Sequence, residues 1–505
     1  MPTPEEKNKY EEVIDAMMRD EVLKKTKPEL KDILGRSFKN NLEKRQAILS
    51  VLDTDRQLFT TINRKIGDKP RIGTQDITDI VEMLREYVHV GETERKLYGE
   101  VMTPIPLVEQ MLDQLPKEVW SDPKLKWLDP ANGCGIFPAV IVQRLMKGLA
   151  KWEPDEEKRY AHIVEKMLYV CELQPKNMFL FLCAFDPKNK YVMNVFTGSF
   201  IDLELYERGA FGRHAKEIWG VDQFDIIVGN PPYQRDSENG KKTHPIWDHF
   251  VLWALRYLKP TGYLTFVHPA GWRAIDGRFK PTQELLKSRR MLALSINDTE
   301  VGMKTFGACT RFDFYTVQNT PSDGHQTSVT WQDGTKSSIN LEKLEFIPNG
   351  KLQEIEQLVA KNDEPKVEIL HSYSAYETRK PHISREQQGE FQFPCVDNVG
   401  VTGSPTKTFF SCTKSNGHFG TPKVITSAFG INVMIDKTGD YGMTQHSVGI
   451  VEHPKNLEGL KKALLSPKFK ALNKMTDVNG MRDIALNRKI IALFRRDFWK
   501  EFIHD

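Results

Sequence analysis

Apolar residues recur at every third or fourth position, with dense charge between them, through Tyr10–Leu23, Lys39–Leu52 and Thr74–Tyr87. That period lays one apolar stripe along each of three helices. Residues 1–97 are therefore expected to form a helical region. From Lys126 the pattern changes to short apolar runs alternating with helical stretches, the signature of a parallel α/β sheet. The expected strands are Lys126–Leu128, Met167–Cys171, Tyr191–Phe196, Phe224–Val228, Tyr263–His268, Met291–Ile296 and Arg311–Val317. A helix from about Pro245 to Leu258 puts Ile246, Phe250, Trp253 and Tyr257 on one stripe. Pro260-Thr261-Gly262 then turns the chain into the next strand. After Asn319 the alternation fades, and Asn319–Thr327 reads as a turn or linker. The expected division is an α/β domain over 98–322 and a mixed C-terminal domain over 323–505.

Composition narrows the classes. At 505 residues, 39% hydrophobic and 28% charged, the chain exceeds a single core and is ordinary globular material. No run approaches 18 apolar residues, so no membrane span is expected, and the acidic start lacks the basic, apolar plan of a signal peptide. Six Cys without a CxxC pair predict neither a disulfide framework nor a zinc site. The chain thus reads as a soluble protein of a reducing, cytoplasmic compartment that needs no metal. Net charge is only +3, but between Pro454 and Lys500 there are 12 Lys and Arg against 4 Asp and Glu. Lys461, Lys462, Lys468, Lys470, Arg488, Lys489, Arg495 and Arg496 form a candidate surface for an anionic polymer; a solvated basic helical face fits the same charges equally well. His371–Lys380, with Tyr373, Tyr376, Arg379 and Lys380, is a second candidate, for which a structural role is preferred.

Three motifs carry chemistry. In Leu128-Asp129-Pro130-Ala131-Asn132-Gly133-Cys134-Gly135, a strand ends in a Gly turn and a helix begins. Such a turn at a strand's carboxyl end can bind a nucleotide-like ligand, although it is neither a P-loop nor GxGxxG. A purely structural turn is the even alternative. Glu172 ends the next apolar run, where a carboxylate can accept from both hydroxyls of a ribose, or can cap the following helix. The third motif is decisive: Asp225-Ile-Ile-Val-Gly-Asn230-Pro231-Pro232-Tyr233 runs a buried strand straight into Asn-Pro-Pro-Tyr. Two prolines fix the backbone and remove two N–H donors. The Asn230 amide oxygen adds an acceptor and the Tyr233 ring a flat apolar face. Together they suit a planar substrate carrying an NH₂ group.

This ordered set resembles the S-adenosylmethionine-dependent DNA adenine-N6 methyltransferases of the gamma arrangement, specifically the Eco57I-like branch, over about Tyr98 to Val317. The resemblance implies a Rossmann-like, seven-stranded class I methyltransferase domain, followed by a target-recognition domain that binds double-stranded DNA. It implies that Thr103 and Pro104 touch the methionine end of the cofactor, that Asp129, Ala131, Asn132, Gly133 and Gly135 form the loop under it, and that Glu172 holds the ribose. Gly198-Ser199-Phe200 stands where the family has Asp-Phe for the cofactor's adenine; Ser199 departs from that pattern, and Asp202 is the substitute. Asn230, Pro231, Pro232 and Tyr233 would engage a flipped target adenine, with Phe306 covering its other face and Phe312 as the fallback. The stretch 234–243 matches the loop that family members order over cofactor or DNA. The resemblance further implies a prokaryotic or phage-encoded modification enzyme with a possible separate cognate nuclease, since no Asp…Glu-x-Lys pattern is evident here. The rival reading is an Asn-Pro-Pro-Tyr methyltransferase acting on RNA guanine or protein glutamine. Thr103-Pro104 and the large basic C-terminal region favour DNA adenine.

Overall fold

The computed structural model describes residues 102–503 except 187, 189, 202–209, 237–242, 428–429 and 479–484. The expected helical region 1–97 and Asp202 lie outside the described residues. The α/β part carries strands β1 (Trp127–Asp129), β2 (Leu168–Glu172), β3 (Asn194–Thr197), β4 (Phe224–Gly229), a small separate hairpin β5 (Gln234–Asp236) and β6 (Thr243–Pro245), then β7 (Leu258–Pro269), β8 (Arg289–Asn297), β9 (Phe312–Pro321), β10 (Thr327–Thr330) and β11 (Lys336–Ile339). Their order in the main sheet is β11-β10-β8-β9-β7-β4-β1-β2-β3. β1, β2, β3, β4 and β7 run parallel, and β9 is inserted antiparallel between β7 and β8. Those seven strands give the expected Rossmann-like class I methyltransferase sheet, with its reversal of strand order at β1 and β4.

Strand alternation builds the two core layers. Trp127, Leu168, Val170, Ile226 and Val228 face one side, with α1 (Ile105–Leu112), α2 (Ile136–Gly148), α3 (Glu156–His162) and α4 (Pro175–Phe185). Leu128, Tyr169, Cys171, Phe224 and Ile227 face the other, with α5 (Ala210–Ile218), α6 (Trp247–Tyr257) and α7 (Lys280–Lys287). A strand buried on both faces reads as a continuous apolar run, and β1, β2 and most of β4 do so. The predicted stripe on α6 is borne out, with Phe250, Trp253 and Tyr257 all in the core.

Two expectations are corrected. Pro260-Thr261-Gly262 does not precede a strand; it is a bulge inside the twelve-residue β7, with Thr261 at φ 69° and the register against β4 shifted there. The expected boundary between 322 and 323 falls inside the sheet, because β10 pairs parallel with β8 and β11 continues antiparallel. The turn at 322–326 connects β9 to β10 on the far side of β8 within one sheet rather than two domains.

Beyond Ile339 the chain builds a mixed unit: sheets β12-β19-β16-β17 and β13-β15-β14-β18, formed by β12 (Glu368–Leu370), β13 (Ile383–Ser384), β14 (Phe393–Val399), β15 (Pro405–Ser411), β16 (Lys423–Ser427), β17 (Gly430–Asp436), β18 (Gly442–Met443) and β19 (Ser447–Val451). Its largest core packs Val424, Val433 and Ile450 against Leu457, Leu460, Phe469, Phe498 and Trp499. A buried ion pair ties this unit to the sheet. Arg273 bonds to Asp313 of β9 at 2.7 Å, both side chains fully buried. Arg273 also donates to the carbonyls of Ile347 and Pro348 and to Asn349 Oδ1. The Arg273 guanidinium is buried with its donors paired, the condition under which a buried charge is tolerable. Among the described residues no helix is long and apolar enough to cross a membrane.

Candidate active site and inter-unit cleft

The site forms where β1, β2 and β4 end side by side. After Asp129 the chain turns through Gly133 (φ +54°) and Gly135 (φ +96°) into α2. Gly135 needs its freedom twice over: its φ is left-handed, and a Cβ there would stand 2.6 Å from Phe181 and 2.9 Å from Phe185. A Cβ on Gly133 would meet nothing within 4 Å, so the tip of the loop fronts open space. Asn132 is pinned from below, its N–H donating to the Cys171 carbonyl at 2.9 Å, while its Oδ1 is buried without a partner.

Glu172 holds backbone on both sides of the strand end. One oxygen accepts from Gly133 N at 2.7 Å and the other from Gln174 N at 2.7 Å, at the entry to α4. The carboxylate therefore ties the helix entry to the Gly loop. Asp129 accepts one bond, from Ala131 N at 3.1 Å, and its Oδ2 is buried and unpaired. Burial pushes its carboxyl up to about 7, opposed by the Ala131 N–H. Gly229 leaves room for it: a Cβ there would lie 3.1 Å from Asp129 Oδ1. Sequence reasoning passed over Gly229, although its place directly before Asn230 was the available signal.

At the end of β4, the Asn230 amide donates through Nδ2 to Thr103 Oγ1 at 3.0 Å. Its Oδ1 is buried with no partner, as is the Tyr233 hydroxyl. Burial pushes the Tyr233 phenol well up. Among the described residues no hydrogen bond reaches the Pro231 carbonyl. The chain continues through Pro232 and is tied back by Ile246 N donating to the Tyr233 carbonyl at 3.2 Å. Phe306 is close, its ring 6.2 Å from that of Tyr233 but edge-on at 84°. It is held from behind by Phe312 at 4.9 Å. Phe312 is itself core, 1% exposed. Thr103, expected beside the cofactor, thus contacts the Asn-Pro-Pro-Tyr strand end, and Pro104 is the N-cap of α1, its carbonyl accepting from Leu107 N and Val108 N.

Phe200 is 1% exposed and packs against Phe211, Phe250 and Tyr257 in the core. Ser199 is buried, its hydroxyl donating to the Ile201 carbonyl. The stretch 234–243 holds β5 and the first residue of β6, whose pairing forms a hairpin with its tip outside the described residues.

The basic C-terminal residues divide. Arg495 bonds Asp497 and Glu501, each at 2.6 Å, and Arg496 faces Glu452. These two are neutralised, so the stretch is not one continuous positive surface. Lys462 and Lys468 donate to the carbonyls of Ile503 and Glu501, and Lys461 lies beside Gly403. Arg488 and Lys489, by contrast, line a cavity of about 680 Å³ between the segment after β7 and the C-terminal unit. Gly271, Ile275, Asp276 and Arg278 supply one wall; His371, Tyr373, Gln445, His446 and Asn487 supply the other. Arg488 donates to the Tyr373 hydroxyl at 2.9 Å and sits over its ring. Tyr373 is nonetheless 70% exposed. Lys489 pairs with Asp276 across the cleft. Of the second candidate stretch, Tyr376 is fully buried and donates to the Gly417 carbonyl, a structural role as preferred.

Residues 161–299 match the Eco57I restriction-modification methylase family. An uncharacterized adenine-specific methylase of Mycoplasma pneumoniae is 30% identical, in an alignment covering 34% of this chain and 55% of that protein. The chain thus spans about half the length of the curated relative it matches. Among solved structures, a DrdV–DNA complex aligns over 99% of this chain and 70% of its own at TM-score 0.50 and 12% identity. A nuclease-deletion mutant of the Type ISP restriction-modification enzyme LlaGI, in complex with a DNA substrate mimic, aligns over 95% of this chain and 65% of its own at TM-score 0.50 and 11% identity. At such identities these two speak for the fold. Residues 161–299, which hold Glu172 and the Asn-Pro-Pro-Tyr strand end, are thus similar to Eco57I restriction-modification methylases.

Proposed function

We propose that the chain is a site-specific DNA methyltransferase acting on N6 of an adenine flipped out of double-stranded DNA, with S-adenosylmethionine as methyl donor. The observation that carries this reading is the buried, partnerless Asn230 Oδ1 beside an unpartnered Pro231 carbonyl and Tyr233. An unsatisfied buried acceptor costs about 1–3 kcal/mol, and a substrate amino group is the partner that would recover it. The cofactor fits the neighbouring loop: Asp129 Oδ2 and Asn132 Oδ1 are buried acceptors suited to the ammonium of its methionine end. Glu172, beside that loop at the end of β2, is the carboxylate we assign to the ribose hydroxyls, and the space before Gly133 is open. Bound there, S-adenosylmethionine supplies a methyl group already activated by its sulfonium.

The protein's part is alignment and charge stabilisation. The amino nitrogen of adenine is a weak nucleophile because its lone pair is spread into the ring. Acceptance of both N–H hydrogens by Asn230 Oδ1 and the Pro231 carbonyl favours a more tetrahedral nitrogen and stabilises the positive charge that develops on it. Preorganised groups of this kind contribute about 3–4 kcal/mol each. Tyr233 offers a face for stacking, with Phe306 edge-on beside it, so the base regains part of the few kcal/mol lost on leaving the duplex. The cleft between the units, with Arg488 and Tyr373 on its wall, is the DNA-facing surface. A modification enzyme beside a separate nuclease is the setting that accords with the family.

The test uses the full chain, tritiated S-adenosylmethionine and unmethylated bacterial genomic DNA, with digestion to nucleosides. N6-methyladenine is the expected product. Label on guanine of RNA or on protein glutamine, with none in DNA, would move the assignment to the rival Asn-Pro-Pro-Tyr chemistry. Asn230→Ala is expected to lower transfer at least ~100-fold while affinity for S-adenosylhomocysteine holds, because the amide acts on the substrate nitrogen. Near-normal turnover would remove Asn230 from the chemistry.

A further inference from the structure

We infer that Thr103 is a positioning residue that anchors the Asn230 amide so that its oxygen is presented to the substrate. The inference rests on the methyl-transfer reading of the same site. The two ends of a carboxamide are nearly alike in size, and a half-turn about the last torsion exchanges an acceptor for a double donor. An adenine amino group presents only hydrogens, so the reversed amide would set N–H against N–H. The two prolines fix where the side chain stands but not which end points forward. Thr103 holds the amide in the observed sense: Oγ1 accepts from Asn230 Nδ2 at 3.0 Å, and Oδ1 is left buried and unpaired, facing the substrate side.

Thr103 is well placed to hold a direction. It is 5% exposed. The next residue, Pro104, is extended (φ −64°, ψ 141°) and caps α1, whose Leu107, Val108, Met111 and Leu112 are all buried. The acceptor is thus anchored through a helix in the core, 127 residues from the amide it orients. A hydroxyl is what the position requires: valine has nearly the same shape and cannot accept.

Single-turnover transfer to unmethylated genomic DNA tests this, with S-adenosylhomocysteine affinity measured by calorimetry on the same preparations. Thr103→Val should lower the rate roughly 10- to 100-fold, the scale of a misaligned catalytic group, with cofactor-product affinity unchanged. Thr103→Ser, which restores the hydroxyl, should recover most of the rate. In an Asn230→Ala background Thr103→Val should add almost nothing, because the group it orients is gone. A full rate in Thr103→Val, a loss carried entirely by weaker S-adenosylhomocysteine binding, or an equal loss in the Asn230→Ala background would each overturn the inference. If Thr103→Val does not fold, Thr103→Ala makes the same comparison. Wild-type chain that labels no DNA overturns the underlying reading and this inference with it. An active wild type with an undiminished Thr103→Val sinks the inference alone.

Discussion

Burial of the Asp129 carboxyl has a measurable consequence of definite sign. Its folded value of about 7 lies above the ordinary 3.8, so below pH 4 the group is neutral in both states and burdens neither. As pH rises through the interval from about 4 to 7 the unfolded chain ionises freely while the fold resists. Stability is therefore lost across that window and levels off above it. At 1.36 kcal/mol per unit the upper bound is about 4 kcal/mol. Urea unfolding of the unliganded protein at pH 5 and pH 8 should show this decline, and Asp129→Asn should flatten it; equal slopes in the two proteins would place the ionisation elsewhere. Glu172 makes a different kind of claim, because both its oxygens already hold backbone N–H groups. Glu172→Ala should weaken S-adenosylhomocysteine binding at least tenfold, roughly the 1.4 kcal/mol of one lost charged hydrogen bond. It should also cost stability, since the Gly133 and Gln174 amides lose their acceptor. Destabilisation with an unchanged dissociation constant would leave Glu172 as a loop tether only. Asn230, Glu172 and the Gly turn were legible in the sequence because their chemistry is local to a strand end. The core packing of Phe200 was not legible, because an aromatic in a cofactor motif and an aromatic in a core look alike until the neighbours are known. Thr103 was noticed, but its partner lies 127 residues away and no local pattern points there.

At the level of elements, the two glycines of the loop separate stability from binding. Gly135→Ala forces a Cβ against two aromatic rings at a left-handed φ, so the loop, α2 or α4 must shift. Overpacking of this kind costs typically 1–3 kcal/mol and left-handed strain adds to it. Gly133→Ala carries the strain but meets only open space, so its stability loss should be smaller and its loss of S-adenosylhomocysteine affinity larger. Thermal melts and calorimetry on the two variants check the inversion; the same ranking in both measurements would refute it. The seven sheet strands were found close to their true places because burial on both faces writes an unbroken apolar run. The β10–β11 hairpin was not found, for the opposite reason. Thr327–Thr330 and Lys336–Ile339 sit at the sheet edge, polar on most positions, with Val329 the fully buried apolar residue among them. Edge strands carry charge and hydroxyls where inner strands carry valine, so the domain boundary was drawn before them. The bulge at Thr261 was hidden likewise, since Pro-Thr-Gly reads as a turn wherever it stands.

On the scale of the whole molecule, charge counting located a basic stretch but could not say which charges are available. Folding spends Arg495 and Arg496 on Asp497, Glu501 and Glu452, pairs Lys489 with Asp276 across the cleft, and leaves Arg488 lining it with no acidic partner among the described residues. The acidic residues that neutralise the former pair include Glu452, some forty residues upstream, so the division is a tertiary property. The signal that was available lay elsewhere: Asp313 inside the apolar run Phe312-Asp313-Phe314-Tyr315 demanded a buried cation, and Arg273 is that partner, fixing the far wall of the cleft. If DNA lies in this cleft, reversing Arg488 and Lys489 to Glu should raise the dissociation constant for duplex DNA and make its salt dependence shallower. Each lost phosphate contact reduces the slope of log affinity against log salt by about 0.9. Reversing Lys462 and Lys468, which lean on the last helical turn, should leave both nearly unchanged. S-adenosylhomocysteine affinity, governed by loops at the ends of β1 and β2, should be the same in all these proteins and shows that each is folded. Fluorescence anisotropy over a salt series decides the matter. A wild-type slope in the Arg488/Lys489 double reversal, or an equal loss in the Lys462/Lys468 pair, would take the duplex out of the cleft and return it to the outer helices.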